Sequence, residues 1–408
     1  MPLKVIVSGA GIAGLALSHW LGRIGAATVI VERAPRFQAL GHYISLKGNG
    51  MEMVRRMGIL DSCQARAAPI EEVYFYTAAR RLLRSERTAA LAQTLGDYIL
   101  FRRADLQAAL YELVREFVDV RFGVQIEEVR PAAGGVEVIL SDGRTERGDL
   151  LVGADGVHSR VRGLVFGEGF EQSLGGHYVA ISQTLRHGLP PVVHSYLSVG
   201  RMVNLFPVTP ESVSAVMYVG ANAGPPPQHD APAMRDYLLA TFVDFPDEVR
   251  RVLGDISADE FVFSDAITRV EMHRITQGRC ALIGDAAHCP TFLSGMGSSL
   301  ALQDAHILAG CLARNPGDIA TSLASYEEVM TPIARRYQNS AVSAHGAFLS
   351  SSRFRARLRD LALRLLPDRL FERGIRRFYD AERPLADLPA QAADQLVAHL
   401  RASAGRRR

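Results

Sequence analysis

The sequence is poor in several residue types, and each shortage narrows the classes of protein to consider. Cysteine is scarce: Cys63, Cys280, Cys289 and Cys311 form neither a C-x-x-C pair nor a secreted disulfide pattern, so we expect free thiols in a reducing cytoplasm. No apolar run is long enough to span a bilayer. The N terminus runs almost directly into a strand, which leaves no room for a signal peptide.

Charge and composition are close to average. The formal net charge is +3, which gives no reason to expect a nucleic-acid partner, and no metal-ligand spacing is present. Hydrophobic residues make up 48% of the chain and charged residues 22%, as in ordinary globular proteins. A length of 408 residues is long for one core and predicts two domains.

The strongest pattern lies at the N terminus. The apolar run from Lys4 to Ser8 predicts a buried parallel strand, and Gly9, Gly11 and Gly14 then form G-x-G-x-x-G before a helical pattern. A second apolar run ends in Glu32, about twenty residues past the glycines. The order strand, glycine turn, helix, strand and acid is that of a dinucleotide-binding βαβ unit.

Each of these residues has a physical task in such a unit. Gly9 permits the tight turn, Gly11 lets the backbone approach a pyrophosphate, and Gly14 lets the helix pack close to the strand. The phosphates meet free N–H groups and the positive end of the helix dipole. Glu32 accepts hydrogen bonds from a ribose diol, so we predict dinucleotide binding here.

Three basic residues have both a functional and a structural interpretation. Lys47 either touches a phosphate or the ring system of a cofactor, or is a solvated loop lysine. Arg102 and Arg103 fall within a run from Phe101 to Leu106 that predicts the start of a helix. Either one of the two arginines clamps a cofactor oxygen, or both are surface arginines.

Two later apolar strands end in an acidic residue. Asp155 follows the run from Leu150, and Asp285 follows the run from Arg279. Ligand groups commonly lie at the carboxyl ends of parallel strands. After the second strand, the glycine-rich loop from Gly295 to Ser299 leads into a helix, with Ser298 and Ser299 as candidate caps.

Two reactive side chains follow Asp285. His288 is either a catalytic base or a structural histidine, and Cys289 is either a nucleophile or a buried thiol. We favour the structural interpretation for both. For Cys289 the reason is that no base is visible around it.

Residues 170–265 carry alternating apolar runs, which predict a mostly antiparallel sheet. We interpret it as a lid over a substrate pocket; the alternative is a purely structural sheet. Its aromatic residues are equally good as pocket walls and as sheet core: Tyr178, Tyr196, Phe206 and Tyr218.

The C-terminal part from Ser322 is helical in pattern. The segment from Arg353 to Arg377 is rich in arginine with apolar residues between, so it either lies on a membrane surface or packs against both domains with its arginines solvated or paired. We favour the second interpretation. The last residues, from about Ala402, are expected to be disordered.

Three motifs together carry a family resemblance. GAGIAG with Glu32-Arg33, then Gly153-Ala154-Asp155-Gly156, then Gly284-Asp285-Ala286-Ala287-His288, resemble the fingerprints of single-component FAD-dependent aromatic hydroxylases, the p-hydroxybenzoate hydroxylase class. The resemblance spans about residues 1 to 345. The size of the chain is most similar to the small branch that includes tetracycline-inactivating monooxygenases.

The resemblance implies an α/β fold, α+β overall: a Rossmann-like FAD-binding domain, an inserted, mostly antiparallel substrate sheet and a C-terminal helical segment. The implied FAD-binding domain is discontinuous, at residues 1–70, 100–170 and 268–345. The implied substrate domain covers residues 71–99 and 171–267, and residues 346–408 form C-terminal helices and a disordered tail.

The resemblance also implies a cofactor site, with no catalytic residue identified. The FAD-contacting residues would be Gly9, Gly11, Gly14, Glu32, Arg33, Lys47, Arg103, Asp155, Asp285, Gly295, Met296, Gly297 and Ser298. Two departures stand out. Phe292 occupies a position where the family often has proline, and the usual Gly-Gln-Gly-x-Asn reads Gly-Met-Gly-Ser-Ser from Gly295.

The implied activity is that of a cytoplasmic flavoprotein monooxygenase of secondary metabolism. NADPH or NADH would reduce FAD transiently, and one oxygen atom of O2 would enter an aromatic or polycyclic small molecule through a flavin C4a-hydroperoxide. We expect a monomer or weak homodimer. A flavin-dependent reductase or dehydrogenase and a non-catalytic, flavin-binding sequestering protein remain as alternatives. A halogenase signature and paired cysteines are both lacking.

Overall fold

The described residues form four sheets. Two of them, with six and seven strands, make up most of the fold, as the change in apolar pattern along the chain predicts, and the other two have three and two strands. The computed structural model describes residues 2–37, 43–87, 98–228, 230–258 and 260–379. Within them the strands are β1 Lys4–Ser8, β2 Ala27–Glu32, β3 Tyr43–Lys47, β4 Glu72–Thr77, β5 Leu82–Arg87, β6 Tyr98–Arg102, β7 Asp119–Phe122, β8 Ile126–Ala132, β9 Gly135–Leu140, β10 Thr145–Gly148, β11 Leu150–Gly153, β12 Glu171–Thr184, β13 Val193–Leu197, β14 Arg201–Thr209, β15 Ser212–Val219, β16 Phe263–Val270, β17 Thr276–Gln277 and β18 Cys280–Leu282.

The helices connect and cover these strands. They are α1 Ile12–Arg23, α2 Asn49–Arg56, α3 Leu60–Gln64, α4 Arg103–Val114, α5 Arg160–Phe166, α6 Ala231–Thr241, α7 Asp247–Gly254, α8 Asp285–His288, α9 Gly297–Arg314, α10 Ile319–Phe348, α11 Arg353–Leu365 and α12 Asp368–Tyr379. Short 3₁₀ turns lie at Ala221–Ala223 and Phe292–Ser294. Among the described residues, no helix is both long and apolar enough to cross a bilayer.

The first sheet, which carries the glycine motif, has the order β17-β18-β11-β1-β2-β7, with β1 in the interior. β1 pairs in parallel with β2 on one side and with β11 on the other, and β11 pairs in parallel with β18. Such a sheet needs covered faces, which explains its unbroken apolar strands. Its parallel strands therefore end at one edge, where the three motifs meet.

The second sheet has the order β16-β12-β15-β14-β13-β4-β5. Its pairs are antiparallel except for β13 with β4. Because side chains alternate across a strand, the sheet has two apolar faces. Helices α6 and α7 cover one face, and the other packs against the Phe292 turn and the C-terminal helices.

Some local expectations were wrong. Phe101 and Arg102 end strand β6, so the helix begins at Arg103 and not at Phe101. The apolar pattern from Val120 to Val129 predicts one strand, but this segment forms parts of two strands, β7 and β8, separated at Gly123, which has a φ of +73°. In both places a strand distant in sequence provides the pairing partner: β3 pairs with β6, and β2 pairs with β7. Local propensity does not show such a partner.

The C-terminal segment is helical, as predicted. Helix α11 packs on β5 and α10, and it buries Ala356 and Leu363 while leaving most of its arginines exposed. The tail expected to be disordered, from about Ala402, lies outside the described residues, which end at Tyr379. The domain boundaries given above stay a prediction.

Candidate cofactor and substrate site

The turn between β1 and α1 admits no side chain at two of its glycines. Gly9 has a φ of +104°, and a Cβ there would lie 2.5 Å from the Ala154 carbonyl oxygen. A Cβ at Gly14 would lie 2.0 Å from the carbonyl oxygen of Gly9. The turn therefore packs directly on the end of β11, and α1 packs directly on the turn.

The start of α1 leaves its backbone amides open to a ligand. No side chain caps the helix, whose N-cap residue is Gly11. The atom nearest to a Cβ built at Gly11 is Nη2 of Arg103, at 3.9 Å. Uncapped amides at a helix N terminus favour an anion, and an arginine beside them adds positive charge. This geometry suits a pyrophosphate.

Glu32 holds the turn in place. One carboxylate oxygen accepts a hydrogen bond from the Ala10 amide at 2.8 Å, and the other accepts one from the Ala34 amide, also at 2.8 Å. Each oxygen keeps a further lone pair. Glu32 can thus hold the backbone and accept a ribose hydroxyl together, although the ribose contact stays a prediction.

The two arginines before α4 have different surroundings. Arg102 is exposed and forms a bidentate pair with Asp105, at 2.8 and 2.9 Å. Arg103 is half-buried and reaches the α1 N terminus. The surface-pair interpretation is therefore right for Arg102 and wrong for Arg103.

Asp155 serves the architecture of the second motif. Its carboxylate accepts hydrogen bonds from the Ser159 hydroxyl, from the Arg160 amide at 2.9 Å and from the Val161 amide at 3.1 Å. Burial raises the pKa of Asp155, and these hydrogen bonds oppose the rise. The side chain fixes the start of α5, while Gly156 beside it, with a φ of +82°, faces open space.

The third motif touches the first. A Cβ at Gly284 would lie 3.0 Å from the Ala13 Cβ on α1, and one at Gly297 would lie 3.6 Å from Oδ1 of Asp285. Asp285 lies in a recess. Many protein atoms surround its carboxyl group, but the residue remains exposed to solvent. This enclosure raises the pKa of Asp285, and the positive charge of Arg103 acts in the opposite direction.

Lys47 is buried and not solvated. It is 1% exposed, and its Nζ lies 3.4 Å from the Ser45 hydroxyl, which donates to the Gly295 carbonyl oxygen at 3.0 Å. The interpretation as a solvated loop lysine is wrong. Lys47 supports the loop at Gly295 from behind and offers no surface to a ligand.

The loop before α9 differs from the prediction in two ways. Helix α9 begins at Gly297, so Ser298 and Ser299 lie in its first turn, and no side chain caps it. Ser299 is buried, and its hydroxyl donates to the Lys47 carbonyl oxygen at 3.3 Å. Met296 is fully buried in the core, so its proposed direct cofactor contact has no surface available.

A buried polar network lies behind the third motif. Asp304 on α9 accepts two hydrogen bonds: Oδ2 accepts one from the Gly284 amide, and Oδ1 accepts one from the Tyr326 hydroxyl at 2.6 Å. His288 is 3% exposed, with its Nε2 2.8 Å from Oδ2 of Asp304, which agrees with a structural histidine. Sequence analysis missed Tyr326; an acid at position 304 inside an apolar helix was the available signal.

Cys289 is a buried, neutral thiol. Burial raises the pKa of Cys289, and the nearby carboxylate of Asp285 raises it further. A thiol held in this form is a poor nucleophile. The structural interpretation of Cys289 therefore agrees with its surroundings.

An aromatic cluster from the second sheet faces the third motif. Tyr178 stacks on Phe292 with ring centroids 4.1 Å apart, and Tyr218 lies 6.1 Å from the same ring. Phe206 belongs to this face as well. Tyr196 lies on the opposite face of the sheet, where its hydroxyl donates a hydrogen bond to Glu248 of α7. It is therefore sheet core and not a pocket wall.

Accessibility divides the predicted cofactor residues into two groups. Gly14, Lys47 and Met296 are buried and act as support. The remaining ones keep accessible surface: Gly9, Gly11, Glu32, Arg33, Arg103, Asp155, Asp285, Gly295, Gly297 and Ser298. Arg33 is exposed after Glu32, and no described contact ties its side chain to the others. The glycine cradle, the uncapped helix and Arg103 fit the FAD expected from the motifs.

Comparison with known proteins agrees with this geometry. The family described as "FAD binding domain" matches residues 2–341. A protein of Legionella longbeachae named flavin-dependent monooxygenase is 29% identical over 355 residues, which covers 85% of this chain and 90% of that protein. Another protein of that name, from an unknown prokaryotic organism, is 30% identical over 353 residues, with the same coverage of both chains.

Solved structures give the same result. The tetracycline destructase Tet(55) is 28% identical, with a TM-score of 0.79 over 95% of this chain and 98% of that one. Klebsiella pneumoniae HpxO, crystallised with FAD and uric acid, is 24% identical and shares the fold, with a TM-score of 0.82 over 94% of this chain and 98% of that one. Because the FAD-binding family model covers residues 2–341 and a flavin-dependent monooxygenase is 30% identical over 85% of this chain, the chain belongs to the family of FAD-dependent monooxygenases.

Proposed function

We propose that this protein is an NAD(P)H-consuming monooxygenase that inserts one oxygen atom from O2 into an aromatic or polycyclic small molecule. The observation that carries the proposal is the position of the Tyr178–Phe292 stack beside Asp285. The stack would offer a flat apolar surface next to the residues that fit FAD. Flat rings pack well on such a surface.

The chain's own residues would bind the cofactor from two sides. Gly9, Gly11 and Glu32 would hold the nucleotide half, with Arg103 over the phosphates. Asp285 and the loop from Gly295 to Ser298 would hold the flavin half. When bound, FAD supplies the electron storage and the activation of O2.

The start of α9 adds an electrostatic element. Its first amides are uncapped and lie beside Asp285, and the helix dipole makes this end positive. Negative charge that develops next to the loop is therefore stabilised. The apolar cluster of the second sheet excludes water from the same side, which strengthens this interaction.

The hydride donor would approach past the second motif. Gly156 faces open space, while the Asp155 carboxylate is fully engaged in holding α5. The donor would thus meet backbone and not a charged side chain at this point. NADH and NADPH both satisfy this description.

The direct test follows product oxygen. Purified holoprotein is given NADH or NADPH with a panel of ring compounds that includes tetracycline, uric acid and 2-aminobenzoylacetate, under ¹⁸O2. We expect substrate-dependent oxidation of the nicotinamide and a product carrying one ¹⁸O atom. Coupled product without ¹⁸O would instead indicate a reductase or dehydrogenase, and absence of turnover with reducible flavin would indicate a different substrate class.

A pair of tyrosine variants tests the substrate surface. Tyr178→Ala should raise the KM for the accepted compound about tenfold, because the ring loses its stacking partner, while FAD content stays unchanged. Tyr196→Ala, on the other face, should lower stability and leave KM unchanged. Equal KM effects for the two variants would contradict the proposed pocket.

A further inference from the structure

Helix α11 carries an apolar stripe that faces solvent. Phe354, Leu358, Leu361 and Leu365 are 75%, 55%, 52% and 65% exposed in the described part of the chain. With 3.6 residues per turn, these four residues lie along one face of the helix. Leu370 on α12 is also half exposed. The four residues on α11 form a continuous exposed apolar stripe, and such a surface marks an interaction site.

The opposite face of α11 is firmly attached. Ala356 and Leu363 are buried against the second sheet and α10. Arg359 donates to the Phe348 carbonyl oxygen at 2.9 Å and pairs with Asp360 at 2.7 Å. The helix is therefore held with its apolar stripe pointing outward.

Arginines flank the apolar stripe. Arg353, Arg355, Arg357 and Arg364 are exposed on α11, and Arg369 is exposed on α12. Among the described residues, none of these five forms an ion pair with an acidic side chain. Arg353, Arg357 and Arg364 border the apolar face on one side and Arg355 borders it on the other, because successive helical residues are about 100° apart. An apolar face bordered by unpaired arginine is the composition of helices that lie in the interface of anionic membranes.

We propose that α11 and α12 dock the protein on an anionic lipid surface, with the apolar stripe entering the headgroup boundary and the arginines contacting lipid phosphates. A second copy of the chain is the less favourable partner. A two-fold contact through this stripe would bring two sets of unpaired arginines together, and like charges at an interface are costly.

The docking surface is continuous with the substrate region. Leu363 and the half-buried Phe371, on the inner side of the same helices, belong to the apolar cluster that contains the Tyr178–Phe292 stack. Membrane docking would place this cluster close to dissolved apolar compounds. The docking itself does not depend on the proposed oxygenation, because it is a property of the exposed side of the helices.

Vesicle flotation of the full-length holoprotein tests the proposal. We expect flotation with phosphatidylglycerol vesicles, little with phosphatidylcholine vesicles, and loss of binding as salt rises. The double variant Leu358→Glu/Leu361→Glu should bind at least about tenfold more weakly, because two charges enter the buried side of the interface. Both positions are exposed, so folding and FAD content should be unchanged.

The matched control adds two charges elsewhere. Val243, just after α6, and Phe261, just before β16, are 62% and 57% exposed, and Val243→Glu/Phe261→Glu should float like the parent protein. Failure of the parent to float would overturn the proposal, and so would equal loss in both double variants. A dimer in analytical ultracentrifugation that Leu358→Glu/Leu361→Glu dissociates, without vesicle binding, would assign the stripe to a second copy.

Discussion

The first and second cofactor-side turns occupy equivalent places in one sheet and are built in opposite ways. The β1–α1 turn is defined by glycines whose missing side chains allow backbone to touch backbone, and its helix amides stay open. The β11–α5 turn is defined by the Asp155 carboxylate, which satisfies the amides that follow it. An open helix end can receive a ligand anion, whereas a capped one serves the fold.

The largest effect should come from the close backbone contact in the first turn. Gly14→Ala should destabilise the apoprotein by about 3 kcal/mol and abolish FAD binding, because its Cβ would overlap the Gly9 carbonyl. Gly11→Ala is the control: it should cost less than about 1 kcal/mol but still weaken FAD binding, since its Cβ would meet only Arg103 Nη2, at 3.9 Å, on the side where the phosphates would lie. Urea unfolding and flavin fluorescence titration measure the two quantities, and equal stabilities for the two variants would contradict this view of the turn.

The second turn should respond in stability more than in cofactor affinity. Asp155→Ala should cost about 2 kcal/mol in the apoprotein, because two amides and the hydroxyls of Ser8 and Ser159 lose their acceptor. Asp142→Ala, which removes an exposed turn carboxylate bonded to the Arg144 amide, should cost less than about 1 kcal/mol. A normal unfolding curve with greatly weakened FAD binding would show that Asp155 is a ligand contact after all.

The network behind the third motif should give a smaller loss. Tyr326→Phe removes the hydroxyl that donates to Asp304 and should cost about 1.5 kcal/mol. The FAD absorption spectrum should shift little, because the phenol is fully buried away from the recess. Thermal unfolding with and without FAD measures both effects, and an unchanged melting temperature would rule out a stabilising network.

The smallest effect should depend on pH. His158, just after the second motif, lies 3.1 Å from Asp265 on β16 and 3.3 Å from Glu171 on β12, and its hydrogen bond to Asp265 raises the pKa of His158 above 6.5. The charged form is favoured in the folded state, so the stabilisation is complete below pH 6.5 and is lost as pH rises through the raised pKa. Because the site is exposed, His158→Gln should cost less than about 1 kcal/mol, and only on the acidic side.

A mutant cycle with Asp265→Asn isolates this pair. The coupling free energy between His158 and Asp265 should shrink as pH rises, which melting temperatures across the pH range will show. A coupling free energy that grows at alkaline pH would contradict the view that the charged form of His158 stabilises the fold.

Sequence patterns predicted the parts of the fold that depend on local order. Glycines at positions 9, 11 and 14, an acid at the end of β2 and two later apolar strands were sufficient for the βαβ unit and its motifs. They could not show which turn covers which side chain. Lys47 is buried because a loop some 250 residues later lies over it, and no local pattern contains that information.

The assignment of faces was also beyond the sequence. Tyr178 and Tyr196 both lie in alternating strands, and either could face the recess on pattern alone. Helices α6 and α7 cover one face of the sheet and so decide which tyrosine is core. Likewise Ser298 and Ser299 have the side chains of helix caps, but the helix starts at Gly297, before both.

The strand order has a consequence for biosynthesis. β1 is synthesised well before β11, one of its two neighbours in the sheet, and the next strand outward from that is β18, which begins at Cys280. A nascent chain therefore carries an apolar strand with one unpaired edge until the segment from Leu150 to Gly153 has been synthesised. Capture of the cofactor must wait still longer, so truncated products should be retained by chaperones as colourless, aggregation-prone species.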